Sequence, residues 1–168
     1  MPRARYRLAF SLALLACACA TSCATSEALG PQQARFPAGQ RVTRSGALTL
    51  EMSEARYDLR ELSVKVSLTN AGDAPLLVER KGVLLAYDEL EFPVAEASAP
   101  ELTESTALAP GSSTELELRF VIEQPLLEAA TLHLLSIRRD DDQWLDPLRI
   151  AVPPPAAFVQ AAAQPDAE

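Results

Sequence analysis

Apolar and polar residues alternate along most of the chain between residues 46 and 152, which is the pattern of strands that bury one face. Through 62–69, every even-numbered residue is leucine or valine and every odd-numbered residue is serine, lysine or threonine. The even-numbered residues of 116–122 are likewise apolar. Further strands are predicted at 47–57, 76–78, 83–87, 90–94, 131–137 and 144–152. The alternation therefore predicts an all-β fold of about seven short strands.

Residues that favour turns separate these runs. The cluster 70–75 (Asn-Ala-Gly-Asp-Ala-Pro) ends one strand, and Asp88–Glu89 reverses the chain after another. Pro110–Gly111 suits the centre of a type II turn. A polar, proline-containing crossing is expected at 95–107, and 124–130 is expected to be either one helical turn or a loop. Because no long amphipathic helix is predicted, we expect an immunoglobulin-like β-sandwich, with a small barrel as the alternative.

Two of these turn segments resemble those of a known family. Residues 68–76 read Leu-Thr-Asn-Ala-Gly-Asp-Ala-Pro-Leu after a Val-x-Val strand, and 108–120 read Leu-Ala-Pro-Gly-Ser-Ser before Leu-x-Leu-x-Phe. This is similar to the telokin-like, immunoglobulin-like domains of unknown function that are attached to many bacterial lipoproteins. It is more distantly similar to the water-stress, late-embryogenesis-abundant sandwich. The resemblance covers 47–152, implies a β-sandwich and brings no catalytic residues with it.

The start of the chain resembles a bacterial lipoprotein export signal. Arginines at positions 3, 5 and 7 precede the apolar run 8–16. A basic region followed by an apolar one of roughly 7–15 residues is typical of a secretory signal. Leu14–Cys17 (Leu-Leu-Ala-Cys) resembles the lipobox, with an aliphatic residue at −3, a small residue at −1 and then cysteine. The resemblance implies cleavage before Cys17 and acylation of that residue.

Alternatives to lipidation at Cys17 lie close by. Cys23 and, less well, Cys19 compete for the role, and an ordinary secreted protein whose apolar run merely contains cysteines is a further alternative. A membrane anchor is disfavoured, because a spanning helix needs roughly 20 apolar residues and this run is shorter. The residue after Cys17 is Ala18 rather than aspartate. In proteobacteria this resembles the default sorting of a lipoprotein to the outer membrane rather than its retention in the inner membrane.

The cysteine and charge counts narrow the function classes. All three cysteines lie between positions 17 and 23, so the remaining chain has no disulfide and no thiolate metal site. Cleavage after residue 16 removes three arginines and leaves twelve basic against 23 acidic residues, a formal charge of −11. An acidic protein repels nucleic acid and anionic lipid head groups at a distance. Nucleic-acid binding through a basic face is therefore disfavoured, and no cofactor is predicted.

The chain divides into four predicted parts. Residues 1–16 are the lipoprotein signal peptide, and 17–45 are the lipidated cysteine and a flexible tether that contains two prolines and two glycines. Residues 46–152 form one β-sandwich domain of ordinary size. The Pro/Ala-rich residues 153–168 are predicted to be a disordered tail, because three consecutive prolines favour extended polyproline II conformation.

Three features carry candidate chemistry, and each has an ordinary structural explanation. His133 is the single histidine, so zinc hydrolysis through several histidines is excluded and a surface or rim position is expected. Asp140–Asp142, with Asp146 nearby, gathers carboxylates of the kind that calcium binds. Two adjacent arginines supply counter-charge, so a solvated hairpin loop is favoured there. Trp144 is expected to pack in the core or its rim, with a binding anchor as the alternative.

Paired carboxylates occur on two predicted strands, Glu89 with Glu91 and Glu115 with Glu117. Such pairs can serve acid–base hydrolysis, but on exposed strand faces they more often solubilise the protein or protect an edge. No catalytic or metal-binding residue is therefore predicted. We expect a non-enzymatic, lipid-anchored interaction or accessory module with an envelope protein partner, on the outer membrane facing the periplasm. The alternatives are a small-molecule-binding or stress-protective sandwich and, remotely, a hydrolase.

Overall fold

The computed structural model describes residues 31–95, 104–139 and 143–162, which contain twelve strands and one α-helix. The strands are β1 (Gln32–Arg35), β2 (Val42–Ser45), β3 (Leu48–Asp58), β4 (Glu61–Asn70), β5 (Leu76–Glu79), β6 (Val83–Tyr87), β7 (Leu90–Pro93), β8 (Ser105–Leu108), β9 (Ser113–Val121), β10 (Ala130–Leu134), β11 (Ile137–Arg139) and β12 (Leu148–Val152). A 3₁₀ turn at Arg80–Gly82 precedes β6, and α1 (Pro155–Ala162) follows β12. The predicted all-β sandwich is confirmed.

The strands form three antiparallel sheets. In the first sheet, β1, β3, β4 and β9 are neighbours in that order, and β2 pairs with β3 beside β1. The second sheet has the order β12-β10-β6-β7, and the third has the order β11-β5-β8. Strand β12 contacts β2 and β3, and β7 contacts β9. The first and second sheets are therefore the two facing layers of the sandwich.

Period-two alternation decides which side chains reach the core. The structure buries every even-numbered apolar residue that the sequence places on the inner face of β4, of β9 and of the position after β9. These residues are Leu62, Val64, Val66, Leu68, Leu116, Leu118, Phe120 and Ile122. In β3 the register shifts at a bulge between Met52 and Glu54, so Met52 and Ala55 both face inward although they are three residues apart. Each such leucine or valine contributes roughly 1.5–3 kcal/mol when fully buried.

The side chain of Asn70 joins two turns at one end of the sandwich. It is fully buried, and its Nδ2 donates to the carbonyl oxygens of Ala74 at 2.9 Å, Leu108 at 3.0 Å and Ala109 at 3.3 Å. Its Oδ1 accepts a hydrogen bond from the backbone N–H of Gly72 at 3.0 Å. The two segments that carry the family resemblance are therefore bonded to each other through one amide.

Two turns that the sequence predicts are present. The backbone N–H of Ser112 donates to the carbonyl oxygen of Ala109 at 3.1 Å, with Gly111 at φ 71°, the positive angle that a type II turn requires there. Asp88 and Glu89 have φ angles of 48° and 64° and form the tight reversal between β6 and β7.

Two connections pass between the second and third sheets at the same place. The 3₁₀ turn leads from β5 to β6, and Leu135 and Ser136 lead from β10 to β11. The N–H of Leu135 donates to the carbonyl oxygen of Gly82 at 2.7 Å, and a Cβ at Gly82 would lie 2.5 Å from the backbone nitrogen of Ser136. The run 131–137, predicted as one strand, is therefore divided between two sheets, and residue 82 must be glycine for this close approach.

The flexible tether predicted for 17–45 is wrong for its last part, which forms β1 and β2. Both strands pair with β3, and the N–H of Phe36 between them donates to the carbonyl oxygen of Ser53 at 2.8 Å. The guanidinium of Arg41 lies 4.7 Å from the centre of the Phe36 ring and donates to the carbonyl oxygen of Ala151 at 3.0 Å. The folded domain therefore includes β1 and β2, and Arg41 ties this segment to the second sheet.

The disordered tail predicted for 153–168 is wrong for 155–162, which form α1. The side chain of Phe158 is 1% exposed and belongs to the core, and α1 contacts β1. Pro155 is the first residue of the helix, where its fixed φ suits the helix and its missing N–H has no intrahelical partner to lose.

Smaller differences concern strand limits. The crossing predicted at 95–107 ends in β8, which pairs with β5. For 124–130 the loop alternative is the one present, and it leads into β10 at Ala130. The last predicted strand, 144–152, is regular only from Leu148. The predicted signal peptide, the three cysteines and Asp140–Asp142 lie outside the described residues.

Candidate functional site

The outer face of the first sheet carries charged side chains that pair with one another. The guanidinium of Arg119 lies 3.7 Å from a carboxylate oxygen of Glu61 and 3.9 Å from one of Glu117. The ammonium of Lys65 lies 3.6 Å from a carboxylate oxygen of Glu54. Half-exposed pairs of this kind contribute roughly 0–1 kcal/mol each. This face is a charged surface with two depressions, of about 290 and 490 Å³.

An open depression of about 960 Å³ lies beside the 3₁₀ turn. It is lined by Glu79, Arg80, Lys81, Pro93, Val94, Glu104 and Ser105. The ammonium of Lys81 lies 3.0 Å from a carboxylate oxygen of Glu79, and Nη2 of Arg80 donates to the carbonyl oxygen of Ala95 at 2.7 Å. Both basic groups of this depression are therefore already engaged within the protein.

Potential metal ligands do not gather in the part of the chain that the structure describes. No group of three or more histidine, cysteine, aspartate or glutamate side chains forms a metal site among residues 31–95, 104–139 and 143–162. Asp146 is exposed to solvent. Since the neighbouring Asp140–Asp142 lies outside the described residues, the solvated loop favoured there stays a prediction.

His133 lies half-buried on the outer face of the second sheet, which agrees with the surface alternative of the surface or rim position that the sequence predicts. Its register partners are Leu84 on β6 and Arg149 on β12. Burial lowers the pKa of the imidazole, and the positive charge of Arg149 lowers it further, whereas the negative charge of Glu91 on β7 raises it. The neighbours of His133 therefore favour its neutral form.

His133→Asn is expected to reduce the loss of stability that acid causes. Because folding lowers the pKa of His133, the unfolded chain binds the proton more readily, so stability is lost as the pH falls through the ordinary value of 6.5. Urea unfolding at about pH 7.5 and about pH 5.5 measures the loss in each variant. Arg149→Gln should reduce the loss in the same direction. An equal loss in wild type and His133→Asn contradicts the prediction.

Trp144 does not close the core, so the packing favoured for it by the sequence is wrong. Its side chain is 57% exposed, and its backbone forms an isolated bridge with Arg138 of β11. The next residue, Leu145, packs against the core instead, and its N–H donates to the carbonyl oxygen of Ile137 at 2.9 Å. The indole of Trp144 is therefore available for contact with another molecule.

Four large apolar side chains are exposed at the opposite end of the sandwich from Asn70. They are Leu59 (71% exposed), Leu90 (50%), Val121 (57%) and Leu127 (75%), and we call their end of the molecule the apolar end. Val121 ends β9 and pairs with Glu61, which follows the turn that contains Leu59. The N–H of Ile122 donates to the carbonyl oxygen of Arg60 at 2.7 Å, which ties the loop after β9 to that turn.

Tyr87 brings Leu90 and Leu127 to the same end of the molecule. Tyr87 ends β6 and pairs with Leu90 across the reversal between β6 and β7. Its hydroxyl accepts a hydrogen bond from the N–H of Leu127 at 2.9 Å and donates to the carbonyl oxygen of Pro125 at 3.2 Å. Three connections of the fold therefore meet at the apolar end: the β3–β4 turn, the β6–β7 turn and the loop from β9 to β10.

Exposed carboxylates occur in the same segments as these apolar side chains. They are Asp58, Glu61, Asp88, Glu89, Glu123 and Glu128. Arg60 is the single basic residue in the segments 58–61, 87–90 and 121–129 that build the apolar end. Arg119 from β9 also pairs with Glu61 at 3.7 Å, so the end combines exposed apolar side chains with a net negative charge.

Sequence reasoning missed the apolar end, although two signals were present. Leu59 stands between Asp58 and Arg60 in a reversal, where a buried side chain is not expected. Leu126 and Leu127 are adjacent in a loop, and Leu126 is buried while Leu127 is exposed. Neither signal shows that Leu59 and Leu127 lie at the same end of the molecule, because these two residues are far apart in the sequence.

Among the residues that the structure describes, no helix is both long and apolar enough to cross a membrane.

Comparison with known proteins shows the fold. No protein-family model matches this chain, and no curated protein sequence matches it. The structure of ycdA from Bacillus subtilis subsp. subtilis str. 168, described as a candidate lipoprotein, is similar at a TM-score of 0.52 and 14% identity. The similarity covers 72% of this chain and 41% of ycdA, so this chain spans about two fifths of that protein. At this identity, the similarity shows a shared fold.

Two further solved structures are less similar. The yjhA protein from Bacillus subtilis matches with a TM-score of 0.44 and 14% identity, over 55% of this chain and 76% of that one. A functionally unknown protein from Listeria monocytogenes EGD-e matches with a TM-score of 0.48 and 8% identity, over 73% of this chain and 84% of that one.

Proposed function

We propose that the protein is a lipid-anchored lipoprotein of the cell envelope whose β-sandwich is a non-catalytic interaction module. The observation that carries the proposal is the apolar end, where Leu59, Leu90, Val121 and Leu127 leave large apolar side chains in water. Exposed apolar patches with polar rims mark interaction sites on soluble domains. These side chains stay half or more exposed after folding, and contact with another molecule would bury the remaining apolar surface.

The export signal and the Leu14–Cys17 segment support the envelope location. The fold that the chain shares with ycdA, itself described as a candidate lipoprotein, agrees with it. We assign the acyl group to Cys17 and place the module on the outer membrane, facing the periplasm. We also propose that the sandwich belongs to the telokin-like, immunoglobulin-like class. The formal charge of −11 after cleavage supports a partner other than nucleic acid.

A non-catalytic role is supported by what surrounds each candidate reactive group. His133 lies on an open sheet face between a leucine and an arginine. The Glu117 carboxylate lies beside Arg119 on a solvated face. Acid–base and nucleophilic catalysis need a base held by an orienting partner next to the reacting atom, in a site that excludes water. Open, charge-paired surfaces of this kind suit recognition better than chemistry.

The proposal is tested by intact mass and membrane fractionation of the natively expressed protein beside Cys17→Ser, Cys19→Ser and Cys23→Ser. We expect the wild-type chain to begin at an acylated Cys17 and to sediment with membranes. Only Cys17→Ser should lose both the acyl mass and the membrane fraction, so the other two variants are matched controls. A soluble wild-type chain without acyl mass would overturn the lipid anchor and favour a free secreted binding domain.

A further inference from the structure

We propose that the apolar end binds a protein partner whose contact surface presents apolar side chains within a basic rim, close to the membrane. This deepens the function proposed above and rests on it. The partner is therefore defined by two chemical properties, an apolar centre and positive charge, and by one position, the membrane that holds the lipid anchor.

Leu59 is the first observation that favours binding at this end. Its φ is 53°, in the left-handed region that leucine rarely adopts and that glycine or asparagine adopts more easily. Its side chain is 71% exposed, so burial does not offset this conformational cost. The hydroxyl of Tyr57 donates to the carbonyl oxygen of Leu59 at 2.5 Å and holds the turn in this form. A strained residue that presents an apolar side chain to water is typical of a contact site.

Charge decides which kind of partner fits. Six exposed carboxylates and Arg60 lie in the segments of the apolar end, and Arg119 from β9 pairs with one of these carboxylates, Glu61, so the excess of charge is negative. A bilayer that contains anionic lipid repels such a surface, and so does a second copy of the same end. A basic protein surface attracts it, and long-range attraction of this kind speeds association and selects the partner. A protein with a basic rim is therefore the occupant that complements both the apolar side chains and their surroundings.

The path of the chain places the apolar end near the membrane. Gln32, the first residue of β1, pairs with Tyr57 beside the turn that holds Leu59, so the segment 17–31 joins the domain at this end. Fifteen residues span at most about 50 Å even when fully extended. A lipid on Cys17 therefore keeps the apolar end within that distance of the bilayer, where an envelope protein can contact it.

Site-specific photo-crosslinking in native membranes tests the proposal with the full lipidated protein. The photoreactive residue p-benzoylphenylalanine replaces Leu59 or Leu127 at the apolar end and, as a control, exposed Asp73 in the turn at the opposite end. We expect a discrete protein adduct from Leu59 and Leu127 and none from Asp73. Leu59→Ser and Leu127→Ser should remove the adduct formed from the other position while the unfolding free energy stays within about 0.5 kcal/mol of wild type.

Matched charge variants test the basic rim. The double variant Glu123→Gln with Glu128→Gln removes two charges from the apolar end, and Glu115→Gln with Glu117→Gln removes two from the outer face of the first sheet. The adduct from Leu127 should fall about fivefold in the first variant and in about 0.5 M salt, and should stay unchanged in the second. A basic partner is contradicted if the yield of the adduct changes neither with the salt concentration nor with the location of the removed charges.

Other outcomes separate this proposal from the lipid anchor. Two results would show that the apolar end contacts the bilayer instead of a protein. One is an adduct with lipid alone, and the other is binding of the purified protein through Leu127 to vesicles of phosphatidylethanolamine and phosphatidylglycerol. Absence of an adduct from both leucines, or an equal adduct from Asp73, would overturn the proposed surface. In each case the acyl mass and the membrane fraction of the wild-type protein still report whether the anchored module itself is correct.

Discussion

Asn70→Ala is expected to lower the free energy of unfolding by about 3 kcal/mol, because it removes one buried donor that serves three carbonyl oxygens. The carbonyls of Ala74, Leu108 and Ala109 would remain in place with their partner gone, and the N–H of Gly72 would lose its acceptor. Whole domains are stable by only about 5–15 kcal/mol, so the change removes a large share of the total. Urea unfolding followed by circular dichroism measures it.

Asn70→Asp separates the lost hydrogen bonds from the lost volume. Aspartate has nearly the size of asparagine but turns an oxygen toward the same carbonyls, so the loss should be at least as large as in Asn70→Ala. Asp73→Ala, in the same turn but exposed, should change stability by less than about 0.5 kcal/mol. If Asn70→Ala and Asp73→Ala cost the same, the amide does not join the two turns in solution.

The sequence predicts β4 and β9 correctly because each buries one face and leaves the other in water. In β4 and β9 the buried residues are those with even numbers, and simple alternation identifies them without knowledge of their neighbours. The turn at Gly111 follows from local chemistry in the same way, since a positive φ at that position selects glycine. Features that depend on neighbouring residues alone are therefore readable from the chain.

Features that depend on distant partners are not readable in this way. Strands β1 and β2 each bury a single residue, Ala34 and Ser45, so their sequences show no alternation. Backbone pairing with β3 makes them strands, and that pairing is independent of their side chains. The division of 131–137 depends similarly on the close approach of Gly82 to Ser136, which lies more than fifty residues away.

The apolar end escapes sequence analysis for a related reason. Of the adjacent leucines Leu126 and Leu127, only one can face the core, and the Tyr87 hydroxyl, forty residues away, holds the backbone that decides which. Reactive groups such as His133 are easy to find by residue type. An exposed apolar surface is visible only once the fold shows which apolar residues the core leaves outside.

Phe158→Ala is expected to lower the free energy of unfolding by about 3 kcal/mol, because the phenyl ring is fully within the core. The ring holds α1 against β1, so its loss should also increase hydrogen exchange of the β1 amides around Ala34. Urea unfolding measures the first effect and native-state hydrogen exchange the second. Together they decide whether 155–162 belong to the domain or to a tail.

Ala156 provides the matched control, since it lies in the same helix with its side chain exposed. Ala156→Ser should cost no more than about 0.5 kcal/mol, the difference in helix propensity. A disordered tail predicts no effect from either substitution, whereas a docked helix predicts a large effect from Phe158→Ala alone. Unchanged stability and unchanged exchange in Phe158→Ala would restore the tail for 153–168 and end the domain at β12.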